Sequence, residues 1–156
     1  MSPVDPQLRT AIRVLVRLSR VLVHTDTGLT VPQYRTLALI SRGEEHASRV
    51  AERLAVAKPT VTAMVDGLVA AGLLERIADP RDRRATKLRL TAAGEQALAR
   101  ADAVLCERLG PVFAGVSDRD RLLELFAELG EALDRDRADR RERRSRRREA
   151  DTSDSR

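Results

Sequence analysis

Between Arg76 and Arg89 the chain carries six basic and two acidic side chains, a net charge of +4. Guanidinium groups at this density suit the multidentate recognition of phosphate oxygens better than any other task. Their order adds a shape. Asp79-Pro80 starts a turn, Arg81, Asp82, Arg83 and Arg84 follow it, and Lys87 and Arg89 then alternate with Leu88 and Leu90 as in a half-buried strand. Leu73 to Ala78 reads as the opposing strand, so the whole is a short basic β-hairpin. Nothing comparable supports enzyme chemistry. The sequence holds no Gly-rich phosphate loop, no nucleophile with a positioned base and no grouped catalytic carboxylates, and Glu44-Glu45 reads as solubilising loop charge.

The elements upstream must position this hairpin. Val50, Ala51 and Leu54 give a short amphipathic helix over residues 47–54, and residues 55–57 form a turn. Pro59 stands in the first turn of a second helix, where its missing N–H does no harm. That helix buries Val61, Met64, Val65, Leu68 and Val69 and ends on Gly72 as a C-terminal cap. Its opposite face carries Lys58, Thr60, Thr62, Ala63 and Asp66. Helix, turn, helix and basic hairpin in this order form a winged helix-turn-helix, which sets one helix in a DNA major groove and a hairpin beside it. The fold class expected is mainly α with a small β wing. The candidate DNA-contact set is Lys58, Pro59, Thr60, Thr62, Ala63 and Asp66 from the helix, with Arg76, Arg81, Asp82, Arg83, Arg84 and Lys87 from the wing. Most of the wing charge would meet phosphates, which add affinity without sequence information.

Long helices flank this unit. From Gln7 to His24, Leu8, Ala11, Ile12, Leu15, Leu18 and Leu22 follow helical spacing, and Val14, Val16, Val21 and Val23 widen the apolar surface beyond one stripe. Such a helix needs burial against a second subunit as well as a core. Thr30 and Gln33 have capping-box spacing for another helix, whose inner face holds Tyr34, Leu37 and Ile40. Gly43 to His46 reads as a loop. Thr91 caps a helix to about Leu109 that buries Leu98, Ala101, Leu105 and Leu109, with Pro111 expected to break it. Ser117 and Asp120 open a last helix with Leu122, Phe126, Leu129 and Leu133 on one face. Residues 7–29 and 91–133 are thus expected as dimerisation helices around a winged unit at 30–90, one domain over residues 1–133. From Asp134 the apolar pattern stops. Residues 134–156 hold ten arginines and seven acids, a tail expected as an exposed helix extension or as disorder.

Composition narrows the classes further. Of 29 basic residues only Lys58 and Lys87 are lysine, a bias that a GC-rich genome explains without special demand for guanidinium. The net charge of +5 permits an anionic partner without requiring one. Tyr34, Phe113 and Phe126 are the only aromatics, which disfavours base stacking on single strands. Cys106 is the only cysteine and excludes an intrachain disulfide. The N-terminal apolar residues are interrupted by Arg9, Arg13, Arg17 and Arg20, and no apolar run approaches a membrane span, so a cytoplasmic protein is expected.

Two segments carry a family resemblance, which extends over roughly Gln7 to Leu133. DPRDRRATKLRLTAAG, from Asp79 to Gly94, resembles the wing signature of the MarR family of bacterial transcriptional regulators and the helix opening that follows it. RVAERLAVAKPTVTAMVDGLVAAGLLER, from Arg49 to Arg76, is similar to that family's helix-turn-helix. The resemblance implies a symmetric dimer on a pseudo-palindromic operator, a repressor relieved by a small-molecule effector, and no cofactor. It also implies a wing-tip role for Arg84 in the minor groove, with Asp82 orienting it. Two positions depart from the family pattern. Ala55 stands where many relatives have Gly, and Ala63 stands where relatives often carry a basic or polar residue. Base readout would then rest on Thr60 and Thr62, with Ala63 limited to apolar contact such as a thymine methyl.

Other residues have plainer readings. Relatives that sense peroxide place a reactive cysteine in the first helix, which here has none. Cys106 lies at the edge of the Leu105 and Leu109 stripe and reads as a buried structural thiol. His24 and His46 lack ligand spacing and read as solvent or cap residues, so no metal is expected. The three aromatics read as core rather than as the lining of an effector cleft. Two competing readings of the whole remain: a winged-helix module for RNA or protein that uses the Arg-rich tail, and a helical dimer whose winged part has lost DNA binding.

Overall fold

The computed structural model describes residues 5–43, 45–54, 56–79 and 82–154. Its elements are α1 (Pro6–His24), α2 (Val31–Ile40), β1 (Glu45–His46), α3 (Ala47–Leu54), α4 (Lys58–Ala70), β2 (Leu74–Asp79), β3 (Asp82–Leu90), α5 (Ala92–Ala114) and α6 (Arg119–Asp154). The chain is mostly helical, and its one described sheet is antiparallel in the order β1-β3-β2. Two compact units divide it, Met1–Leu109 and Gly110–Arg156. No helix among the described residues is long and apolar enough to cross a membrane.

In the first unit, local chemistry sets the helix ends. Thr30 caps α2: its Oγ1 accepts the Gln33 N–H at 3.4 Å, and Gln33 Oε1 accepts the Thr30 N–H at 2.8 Å. At the end of α4, Gly72 adopts φ 70°, a left-handed conformation that costs a Cβ-free residue little. The Gly72 N–H then reaches the Val69 carbonyl and the Leu73 N–H reaches the Leu68 carbonyl, both at 2.9 Å, which satisfies the last turn and aims the chain into β2.

A second joint ties that exit to α5. The Thr91 N–H donates to the Leu73 carbonyl at 3.2 Å, and the Thr91 hydroxyl donates to the Gly72 carbonyl at 2.6 Å. The same hydroxyl oxygen accepts the Gly94 N–H at 3.0 Å, capping α5. Gly94 packs so closely that a Cβ there would run into the Leu73 carbonyl. Thr91 and Gly94 therefore stand three residues apart for a packing reason: together they let α5 lie against the chain leaving α4.

The core is aliphatic. Leu37 of α2, Val50 of α3, Val65 and Leu68 of α4, Leu74 and Leu88 of the sheet and Leu98 of α5 form one buried cluster. Burying each such side chain stabilises the fold by roughly 1.5–3 kcal/mol. Around this cluster α1 stands apart. None of its residues is buried; Leu18, Val21 and Leu22 are half-buried, while Leu8, Ile12, Val14, Leu15, Val16 and Val23 are exposed in the protomer.

Three expectations need correction. Gly43 to His46 is not all loop, because Glu45 and His46 pair with Leu88 and Lys87 as a two-residue strand. Pro111 does not end α5, which runs on to Ala114. A proline removes only its own N–H, and the helix closes soon after, with the Gly115 N–H on the Pro111 carbonyl at 3.1 Å. Cys106 is exposed rather than buried. It follows Leu105 by one residue, about 100° around the helix, which carries it off the buried stripe of Leu98, Ala101 and Leu105.

In the second unit, Phe113 and Phe126 meet edge to face with ring centroids 5.9 Å apart. α6 continues past Leu133 as helix to Asp154.

Tyr34 packs against the core edge and donates its hydroxyl to Asp102 Oδ1 at 2.7 Å, joining α2 to α5. Burial, and then the Asp102 hydrogen bond, push its pKa up to about 12. A raised pKa means that the folded state holds the proton more tightly than the unfolded chain. The stabilisation is thus complete below the ordinary tyrosine value of about 10 and is lost as pH rises through about 12. With a single tyrosine and no tryptophan, the tyrosinate absorbance should titrate near pH 12 in the native protein and at a lower pH, still above about 10, in Asp102→Ala, where burial persists.

Candidate nucleic-acid interface

α4 divides its residues between two environments. Val61, Val65 and Leu68 are buried, whereas Pro59, Thr60, Thr62, Ala63 and Asp66 are exposed on the other side. The N-cap residue Ala57 supplies no side-chain acceptor. The first-turn N–H groups of α4 therefore keep their capacity to meet an anion. Lys58 opens the helix as its first residue. A face of small polar and apolar side chains, two of them threonine, can approach base edges closely.

The hairpin lies against this helix through one ion pair. Arg76 of β2 donates through Nη2 to Asp66 Oδ1 of α4. Both side chains are about half exposed, so the pair adds at most about 1 kcal/mol to stability. Its effect is geometric: the exposed face of α4 and the first wing strand are joined by two of the expected DNA-contact residues. Arg76 therefore shares its charge between Asp66 and any phosphate.

The wing strands are longer than the sequence pattern indicates. β2 and β3 pair from Leu74↔Leu90 to Ala78↔Thr86, and after a register irregularity at Ala78/Asp79 the pairing closes at Asp79↔Asp82. Asp82, Arg83 and Arg84 thus belong to β3 by their backbone rather than to a long turn. Arg81 lies outside the described residues, as does Ala55 of the interhelical turn.

Sequence reasoning missed Asp79. Read as a turn former, it is the only buried acid among the described residues, with its side chain 8% exposed. Its Oδ2 lies 3.3 Å from His46 Nε2 on β1 and 3.7 Å from Lys87 Nζ on β3. The carboxylate therefore gathers all three strands. His46 is a partner in this cluster rather than a solvent residue, and Lys87 is tied to Asp79 rather than free to extend toward a phosphate. The signal lay in pairing across distant segments, which periodicity does not carry. On the strand bases, Arg89 Nε also meets Glu75 Oε1 at 2.8 Å, between directly opposed residues. Arg76, Lys87 and Arg89 are thus each offset within the unit. In the sequence, Arg81, Arg83 and Arg84 are the hairpin arginines nearest the turn.

An exposed helix face with an open N-terminus, beside a two-stranded basic wing, defines the winged-helix class of DNA-binding proteins. Comparison with known proteins agrees. The MarR family model matches residues 27–85. The chain is 28% identical over 108 residues to the HTH-type transcriptional regulator YkoM of Bacillus subtilis, covering 67% of this chain and 70% of that one. The transcriptional regulator BldR of Sulfolobus solfataricus superposes with a TM-score of 0.68 at 29% identity, over 86% of this chain and 99% of that one. The transcriptional repressor CouR, solved bound to a 23-mer DNA duplex, gives a TM-score of 0.65 at 28% identity, over 80% of this chain and 89% of that one. Residues 27–85 thus match the MarR family of transcriptional regulators, and the chain has the winged-helix fold of its structural neighbours.

Removing the buried carboxylate tests how the wing is held. Asp79→Asn should lower stability by about 1–3 kcal/mol in chemical denaturation, since hydrogen bonds to charged groups are lost at a buried site. Amide exchange should accelerate first in β2 and β3, with the α4 amides least affected.

Proposed function

We propose that the protein is a homodimeric repressor that binds a pseudo-palindromic operator through α4 and the wing. The observation that carries this reading is the exposed α4 face joined to a basic hairpin by the Arg76–Asp66 pair. In each protomer, Thr60 and Thr62 reach base edges, Ala63 meets an apolar group such as a thymine methyl, and Lys58 and the α4 N-terminus hold phosphate. Arg84 enters the adjacent minor groove, where narrow A·T-rich DNA deepens the negative potential, and Asp82 orients it. Arg76, Arg81, Arg83 and Lys87 supply positive potential along the backbone, with Pro59 and Asp66 completing the helix face.

Dimerisation is supported by the apolar surface each protomer leaves uncovered. Leu8, Ile12, Leu15 and Val16 of α1 are exposed, as are Leu123, Leu125, Leu129 and Leu133 of α6. So much aliphatic exposure on two long helices is the signature of an association surface. Relief of repression by a small-molecule effector is part of this reading through the family resemblance, with no residue assigned to hold it. A repressor of this kind works in the cytoplasm, beside its DNA.

Binding to the region upstream of its own gene, measured by anisotropy against competitor DNA, tests the reading. Sequence-selective binding is expected, and Arg84→Ala should weaken it by about 1–3 kcal/mol. Asp82→Ala should weaken it too, although it removes a negative charge; tighter binding would remove the orienting role. Equal affinity for operator and competitor would defeat the proposal as a whole. Sedimentation at micromolar concentration should show a dimer, and a stable folded monomer would overturn the quaternary part.

A further inference from the structure

After Leu133 the sequence runs on for 23 residues. That segment is helical through Asp154 yet contains no apolar residue beyond Ala138 and Ala150. It therefore has nothing with which to dock on a hydrophobic groove or lie in a lipid interface, which needs an apolar face. It sustains itself instead by pairs within the helix. Glu131 meets Arg135 at 3.5 Å, Asp136 meets Arg140 at 2.8 Å and Glu142 meets Arg146 at 2.6 Å. Each pair has the acid four residues N-terminal to the base, the favourable orientation for a helix exposed to water. Twenty-one residues of helix beyond Leu133 make an arm about 30 Å long.

Charge along the arm is uneven. Residues 134–139 carry three acids and two arginines, residues 140–148 carry seven arginines and one glutamate, and residues 149–154 carry three acids and no base. The middle block thus holds a net +6, more than the two pairs through Arg140 and Arg146 can offset, and Arg143 is exposed. A run of guanidinium groups on a self-supporting helix, with no apolar anchor, fits a partner that is itself a regular array of anions. We propose that the Arg140–Arg148 block is a second DNA contact, one that grips the phosphate backbone without reading sequence. This rests on the DNA-binding reading above for its choice of duplex DNA over other polyanions.

The test uses the full chain with Arg141, Arg143, Arg144, Arg147 and Arg148 replaced by Gln. Arg140 and Arg146 are kept, so the supporting pairs remain, and glutamine is a good helix former. Affinity for a short random-sequence duplex is measured from about 50 to about 200 mM salt. The slope of log affinity against log salt should become shallower by about 2 or more, at about 0.9 for each phosphate that the arm no longer neutralises. Helicity by circular dichroism should be unchanged, and the same five positions replaced by Lys should keep most of the slope. An unchanged slope in the Gln variant overturns the proposal and is the result expected if the arm serves an acidic protein. A slope equally shallow in the Lys variant overturns it as well, because charge would not be the cause. So does a Gln variant that loses its preference for operator over random duplex at matched salt. Wild-type protein that grips random duplex through the arm yet prefers no operator would support the arm while defeating the repressor reading.

Discussion

The DNA-binding unit depends on one crowded crossing, where the chain leaving α4 passes under the start of α5. The Leu73 carbonyl accepts the Thr91 N–H and occupies the space that a Gly94 side chain would need. Gly72 makes the approach possible by turning left-handed, and the Thr91 hydroxyl bonds to both sides of the joint. Because β2 begins at the next residue, the direction of the wing and the seat of α5 are set by the same few atoms. Interiors packed at crystal-like density transmit such constraints rather than absorbing them.

Leu74, Leu88 and Leu90 seat the bases of the wing strands in the core, and charged pairs fix the rest of the wing. Asp79 collects His46 and Lys87 from the two other strands, and Asp66 holds Arg76 against α4. The pairs through Lys87 and Arg76 each withdraw a cation from the pool that phosphates would otherwise share. The domain thereby gives up part of its general attraction for DNA in return for a fixed angle between helix and hairpin.

The helices were readable from sequence because their causes are local. Thr30 and Gln33 reciprocally cap α2, Pro59 opens α4 and Gly72 closes it, and each leaves its mark within four residues. The apolar stripe of α4 likewise follows from helical period alone. What escaped notice depends on segments far apart in the chain. A two-residue strand such as β1 has no period to detect, and the irregularity at Ala78/Asp79 that accompanies the inward carboxylate is invisible to alternation. The thiol of Cys106 was misplaced by a single helical step, which is enough to exchange interior for solvent. Among the candidate DNA contacts, the exposed face of α4 was legible, whereas the internal engagement of Asp66, Arg76 and Lys87 was not.

The strand order β1-β3-β2 puts the first wing strand at a rim of the sheet. Bare strand rims recruit other strands, and a protein concentrated along DNA would bring many such rims together. β2 is only six residues long, and Glu75 and Arg76 are fastened along it by Arg89 and Asp66. Short, charged rims resist edge-to-edge growth. The pairs that aim the wing therefore also keep neighbouring copies from knitting their sheets into fibres.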